Sequence, residues 1–240
     1  MREQNIEKDI PEKIKTTVRN RDHRRCVVCG MPIYEFYPLK AYYAESPSKS
    51  NVVLLCPKHV DEARKGILSE ENLVEKRKQP FKPLVGTEDN YSIDFQSDVL
   101  RLTIGNNQLM RVFMKKEDRF AALKYRNFPI LKFDKKDKGL EMTVCMIDKQ
   151  NNITLLIVNN EVVLSSLNWK IDYSNKVLKI EDSSKKYRFQ VRIDAAKDEV
   201  VLSEDSFYFD GKKILKLPPS DPNKKGNIVT RTKGDGIVIG

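Results

Sequence analysis

Four residues in this chain have the types and spacing to hold a metal ion. Cys26 and Cys29 form one Cys-x-x-Cys pair, and Cys56 and His59 form a Cys-x-x-His pair twenty-six residues further on. Two residues between ligands let one tight turn aim two side chains at a single point. Two such turns supply the four ligands of a tetrahedral zinc site. With every position taken by protein, no place remains for water or substrate, so the expected Zn²⁺ is structural and not catalytic. Ordinary buried thiols are the plain alternative, and it requires both spacings to arise by chance. The fourth cysteine, Cys145, lies in the apolar run MTVCMID and reads as a small buried hydrophobe.

The ligands need elements to carry them. Ile10, Ile14 and Val18 recur every four residues, so a helix runs into the first knuckle, with Asp9 as cap and Pro11 in its first turn. After the knuckle, Met31–Tyr37 reads as a strand, Lys40–Ser50 as a loop and Asn51–Leu55 as a second apolar strand entering Cys56. Pro57 opens a helix that Gly66 closes, and Ser69 caps another short helix to Arg77. The order is strand, loop, strand, helix, with ligands at the joints.

The net charge is +10. Residues 1–85 carry 17 Lys and Arg against 12 Asp and Glu, and the remainder 27 against 22, so both halves are basic. A polyanion partner fits this balance, as does a lysine-rich solvated surface. Lys13, Lys15, Arg19, Arg21, Arg24 and Arg25 cluster just before the knuckle and are the groups expected to touch nucleic-acid phosphate, DNA first. No apolar stretch is long enough to span a bilayer, so no membrane association is expected. The first residues lack the apolar core of a secretory signal. With its cysteines committed to metal, the chain is expected in a reducing compartment, the cytoplasm.

Arg21-Asp22, Cys26, Cys29, Gly30, Asn51, Leu55, Cys56 and His59 together resemble the zinc-ribbon subclass of the HNH (ββα-metal) endonucleases over residues 9–68. That resemblance implies a ββα-metal fold, a DNA partner and phosphodiester hydrolysis. The last needs a histidine base and a metal-holding acid or histidine. The family's catalytic pair falls at the end of the first strand, where this chain has Tyr37 and Pro38. The family's final histidine falls on Val60. Asn51 alone is retained. Of the chain's two histidines, His59 is a ligand and His23 precedes the ribbon. The expectation is a ribbon kept without its catalytic groups, and so no catalytic residues. Only a site rebuilt on Glu35, Asp61 or Glu62 would restore cutting, and those acids are expected on solvated faces.

Pro80, Pro83 and Gly86 break the chain within seven residues, and 81–91 reads as a linker between a module at 1–80 and a domain at 92–240. From there short alternating runs dominate, with turn pairs at Asp210-Gly211 and Gly234–Gly236 and a loop at 220–226. Trp169, Tyr173 and Phe207–Phe209 read as core fillers. The expected class is α+β: a small zinc-bound ββα module, then an all-β sandwich, barrel or solenoid. The leading functional reading is a catalytically degenerate HNH-like module that binds nucleic acid or protein. The alternatives are a divergent metal-dependent HNH endonuclease and a protein-interaction module of a phage or mobile element.

Overall fold

The computed structural model describes residues 10–40, 42, 48–81, 95, 97–104, 106–114, 118–136, 139–148, 150, 152–166, 169–174, 176–182, 188–194, 197–202, 206–209, 212–216, 228–231 and 236–239. Helices and strands are mixed, and the chain divides into two compact units, Met1–Tyr91 and Ser92–Gly240.

In the first unit, helix α1 (Glu12–Arg21) follows Pro11, which stands at its N-cap and makes no side-chain cap bond. Asp9 lies outside the described residues. Strand β1 (Glu35–Pro38) pairs antiparallel with β2 (Val52–Leu55), matching Phe36 with Leu54 and Pro38 with Val52. The expected strand from Met31 is shorter because Met31 O is used to close the turn of the first knuckle, accepting from Cys26 N at 3.0 Å. Every residue of β2 is buried, so the hairpin is covered on both faces. On one face Phe36, Val52 and Leu54 pack with Tyr34 and Tyr42, with Ile14 and Val18 of α1, and with Ile10, which the sequence placed on the helix but which precedes its N-cap. On the other lies helix α2 (Pro57–Arg64), which closes before Gly66 at φ +72°, the left-handed turn that glycine adopts without strain. Helix α3 (Glu70–Lys78) is capped by Ser69, whose hydroxyl accepts from Asn72 N at 3.2 Å. The expected loop at 40–50 falls partly outside the described residues; its end is a 3₁₀ turn at Lys49–Asn51.

In the second unit the described elements are all strands. β3 (Val99–Ile104) and β4 (Asn107–Val112) form a hairpin. β5 (Asp118–Tyr125), β6 (Phe128–Lys136), β7 (Gly139–Ile147), β8 (Ile153–Val158) and β9 (Glu161–Ser165) follow as a meander. A second meander, β10 (Trp169–Ser174), β11 (Val177–Asp182), β12 (Arg188–Asp194) and β13 (Glu199–Leu202), ends parallel beside β3. β14 (Ser206–Phe209) and β15 (Lys212–Lys216) form a separate hairpin, while β16 (Ile228–Arg231) and β17 (Ile237–Ile239) lie parallel beside β4 and β5. The result is a seven-stranded sheet, β10-β11-β12-β13-β3-β4-β16, and a six-stranded sheet, β17-β5-β6-β7-β8-β9. Neither closes on itself among the described residues. The indole N–H of Trp169 ties one to the other, donating to Thr154 O at 3.0 Å. Trp169 and Tyr173 are buried, as expected of core fillers. The side chains of Phe207–Phe209, the turn at Asp210-Gly211 and the loop at 220–226 lie outside the described residues. So do residues 82–91 of the expected linker, and Gly234-Asp235 of the last turn.

Candidate metal centre

The four sequence-derived ligands converge. Cys26 Sγ, Cys29 Sγ, Cys56 Sγ and one ring nitrogen of His59 all lie within 4.8 Å of one another. Cys29 Sγ is 3.8 Å from Cys56 Sγ, and His59 Nδ1 is 3.1 Å from Cys56 Sγ and 3.4 Å from Cys26 Sγ. Bond lengths of about 2.3 Å to sulfur and 2.0 Å to nitrogen put the edges of a tetrahedron at about 3.8 Å for S–S and 3.5 Å for S–N. The three separations above lie within about 0.4 Å of those edges, compatible with a metal site, and three soft thiols with one imidazole suit a tetrahedral cation.

The backbone explains the convergence. Asp22 N closes α1 on Val18 O, and the chain then bends through His23 and Arg24, both at positive φ, into the first knuckle. Gly30 N donates to Cys26 O at 2.9 Å, and Val27 N donates to Leu54 O at 2.9 Å, which clips the knuckle to β2. β2 delivers Cys56 as the N-cap of α2, and the first turn of α2 swings His59 back toward it. Gly30 has φ +77°, and a Cβ there would run into the Phe81 ring. Phe81, read from sequence as the first linker residue, donates its N–H to Val27 O at 3.2 Å and so packs with the knuckle.

The electrostatics favour a cation. Burial pushes the Cys26 thiol up, but contacts from Cys29, Cys56 and His59 outweigh it and draw the group down into the thiolate form. Contacts from Cys26 and Cys29, and then burial, push Cys56 the other way. His59 is pushed up to about 10 by the same two sulfurs. Cys26 is thus set to lose its proton and Cys56 to keep it unless a positive ion sits beside them.

The basic cluster is more divided than the sequence implied. Lys13 and Arg24 are exposed. Lys15 and Arg19 are half-buried, each with its charged group 5.1 Å from the centre of the Phe36 ring, and Arg19 also pairs with Glu12 at 2.6 Å. Arg25 is buried. Arg21 spends its donors inside the fold: on both oxygens of Asp22, at 2.5 and 2.8 Å, and on Lys49 O and Val52 O at 2.6 and 2.7 Å. Burial of Arg25 and the internal bonds of Arg21 leave these two less available to a ligand than the exposed Lys13 and Arg24. Asp22, named from sequence only as part of the resembling motif and given no role there, is a fully buried carboxylate that also accepts from Leu54 N at 3.0 Å.

At the positions where catalysis was expected to be missing, Tyr37 and Pro38 are half-buried in β1 and Val60 is buried in α2. Asn51 is buried and its carbonyl accepts from Leu39 N at 2.8 Å, fixing the end of β1. His23 is exposed in its turn. Of the acids that might rebuild a site, Asp61 is exposed and paired with Lys65 at 2.6 Å. Glu62 faces His59. Glu35 is half-buried and not on a solvated face; burial pushes its carboxyl up, against the opposing charge of Arg64. Apart from the thiol–imidazole set, no three His, Cys, Asp or Glu side chains gather to hold a second cation among the described residues. Cys145 is buried, and burial pushes its thiol up to about 11. No described helix is long and apolar enough to cross a membrane. No family model, curated protein or solved structure matches the chain.

Proposed function

We propose that residues 1–81 form a zinc-stapled, HNH-like module that has lost the cutting machinery and serves as a DNA-binding head. The observation that carries the reading is the closed donor set. Three thiols and one imidazole at tetrahedral separations use every coordination position of a zinc ion. A metal held in this way joins the α1 knuckle to the β2–α2 joint and leaves no site for water or phosphate. The antiparallel pair β1–β2 followed by α2, with Asn51 in the turn just before β2, supports kinship with the ββα-metal nucleases. Tyr37, Pro38 and Val60 stand where that chemistry needs a base and a metal ligand; Pro38 and Val60 have no group for either job, and Tyr37 offers a phenol in place of the family's histidine or acid.

The exposed cations Lys13 and Arg24 are the first contacts assigned to phosphate, with Lys15 and Arg19 beside them. A gel-shift assay on duplex DNA at several salt concentrations tests this. Replacing Lys13 and Arg24 together with alanine should weaken binding and reduce the slope of log affinity against log salt by about one unit per lost contact. Unchanged affinity and slope would remove DNA from the reading and leave a protein partner as the remaining role. A plasmid-nicking assay with Mg²⁺, Mn²⁺ and Ni²⁺ should leave supercoiled DNA intact. Cleavage that disappears in a Glu35→Ala/Asp61→Ala variant would restore the divergent-nuclease alternative.

A further inference from the structure

We propose that Glu62 is the residue that orients the His59 ligand, an inference that rests on the zinc reading of the same site. His59 turns Nδ1 toward the sulfurs of Cys26 and Cys56, and this leaves Nε2 as the nitrogen facing away. That nitrogen is 3.7 Å from Glu62 Oε2. The two residues are three apart on α2, the spacing that puts side chains on one helix face. An imidazole that binds a metal through Nδ1 must carry its proton on Nε2. A carboxylate beyond that proton fixes the tautomer, holds the ring plane and raises the basicity of the ligating nitrogen. At 3.7 Å the contact closes by a small side-chain rotation or through one bridging water.

The choice of Glu62 is specific. The neighbouring acid, Asp61, is 61% exposed and tied to Lys65 Nζ at 2.6 Å, so it is not directed at the ring. Glu62 is only 28% exposed, and its other charged neighbour is Lys58, 71% exposed, at 3.9 Å. Lys58 therefore provides the control. If Glu62 served only as half of a surface helix pair, removing Lys58 would have the same consequence as removing Glu62.

Zinc affinity of the full chain, measured by competition with a chromophoric chelator, decides between the two roles. Glu62→Ala should weaken zinc about 10- to 100-fold, while Lys58→Ala leaves it unchanged. Glu62→Gln keeps an oxygen that accepts from Nε2–H, so it should restore part of the loss. With Co²⁺ in place of zinc, Glu62→Ala should shift the visible absorption bands that report ligand geometry, and Lys58→Ala should not. If Glu62→Ala does not fold around the metal, the near-isosteric Gln variant carries the test through its own loss of affinity. Wild-type affinity and an unshifted cobalt spectrum in both Glu62 variants would overturn the proposal. That result is distinct from failure of the zinc reading. In the latter case the unmodified chain would bind no stoichiometric metal, or would bind it as tightly after His59→Ala.

Discussion

A chelator strong enough to strip zinc is expected to unfold the first unit of this chain while leaving the second in place. The first unit has little else to hold it. Its helices are 10, 8 and 9 residues long, below the length at which an isolated helix persists in water. Among the described residues its sheet has two strands of four residues, and a lone hairpin is marginal at best. The apolar cluster joins α1 to the hairpin, and among the described residues the backbone bond from Val27 to Leu54 is what ties the first knuckle to β2. Without an ion, three thiols and an imidazole crowd one point with nothing between them to bind. Structural zinc in small domains contributes on the order of 10 kcal/mol or more of apparent binding energy, and in such units binding and folding are one event. The expected metal content is one zinc per chain. Cys26→Ser or Cys56→Ser should abolish it, and hydrogen exchange should show protection lost from α1, β1, β2 and α2. Amides of β6 and β7, central strands of a six-stranded sheet with its own buried residues, should stay protected. A chelated chain that keeps full protection in the first unit would show that the ribbon needs no metal.

The sequence spoke most clearly where the chemistry is local. A two-residue spacing dictates a tight turn, and two such turns made all four ligands legible before any coordinates. Ile14 and Val18 were equally plain as one helix face, but the period of four ran a turn too far: Ile10 precedes α1 and reaches the same cluster from outside the helix. Side-chain partners chosen by tertiary structure were not. Arg21 and Arg25 look like Arg24 on the page, since charge carries no label for burial. What separates them is whether the turn after α1 points a residue inward, and that turn depends on left-handed residues, His23 and Arg24, whose types do not announce it. Glu35 misled for a similar reason. A carboxylate in a two-stranded sheet reads as solvent-facing until a helix is known to cover that face. In the second unit alternation signals strands in general, but β4, β5 and β17 carry it weakly. Asn107–Val112 and Asp118–Tyr125 mix polar and apolar residues at both parities, and Ile237–Ile239 is only three residues long. The pairing of β13 with β3, about a hundred residues apart, has no local signature at all.

Replacing Asp22 with alanine should cost the first unit more than any other single change outside the ligands. The carboxylate is fully buried and answers three donors: Arg21 Nε, an Arg21 terminal nitrogen and the backbone N–H of Leu54. Alanine would leave Leu54 N–H without an acceptor in the middle of a buried strand, the same residue whose carbonyl holds the knuckle. It would also leave the Arg21 guanidinium, held over Lys49 O and Val52 O, without its counter-charge. Breaking such a pair from one side typically costs about 3–5 kcal/mol. For a unit of this size that is a fall on the order of 10–25 °C in its melting temperature under zinc saturation. Asp22→Asn keeps the shape and one acceptor and should fall between. Arg21→Ala should also destabilise, and the double variant should cost clearly less than the two singles together, since both remove one network. The same series separates a structural arginine from a DNA contact. A phosphate-binding Arg21 would lose DNA affinity on substitution with its melting point unchanged. The geometry here predicts the reverse: a large fall in melting temperature, with DNA affinity per folded molecule near that of the unmodified chain. An Asp22→Ala protein that melts within about 1 kcal/mol of the parent would show that the buried pair contributes nothing net, as some buried ion pairs do.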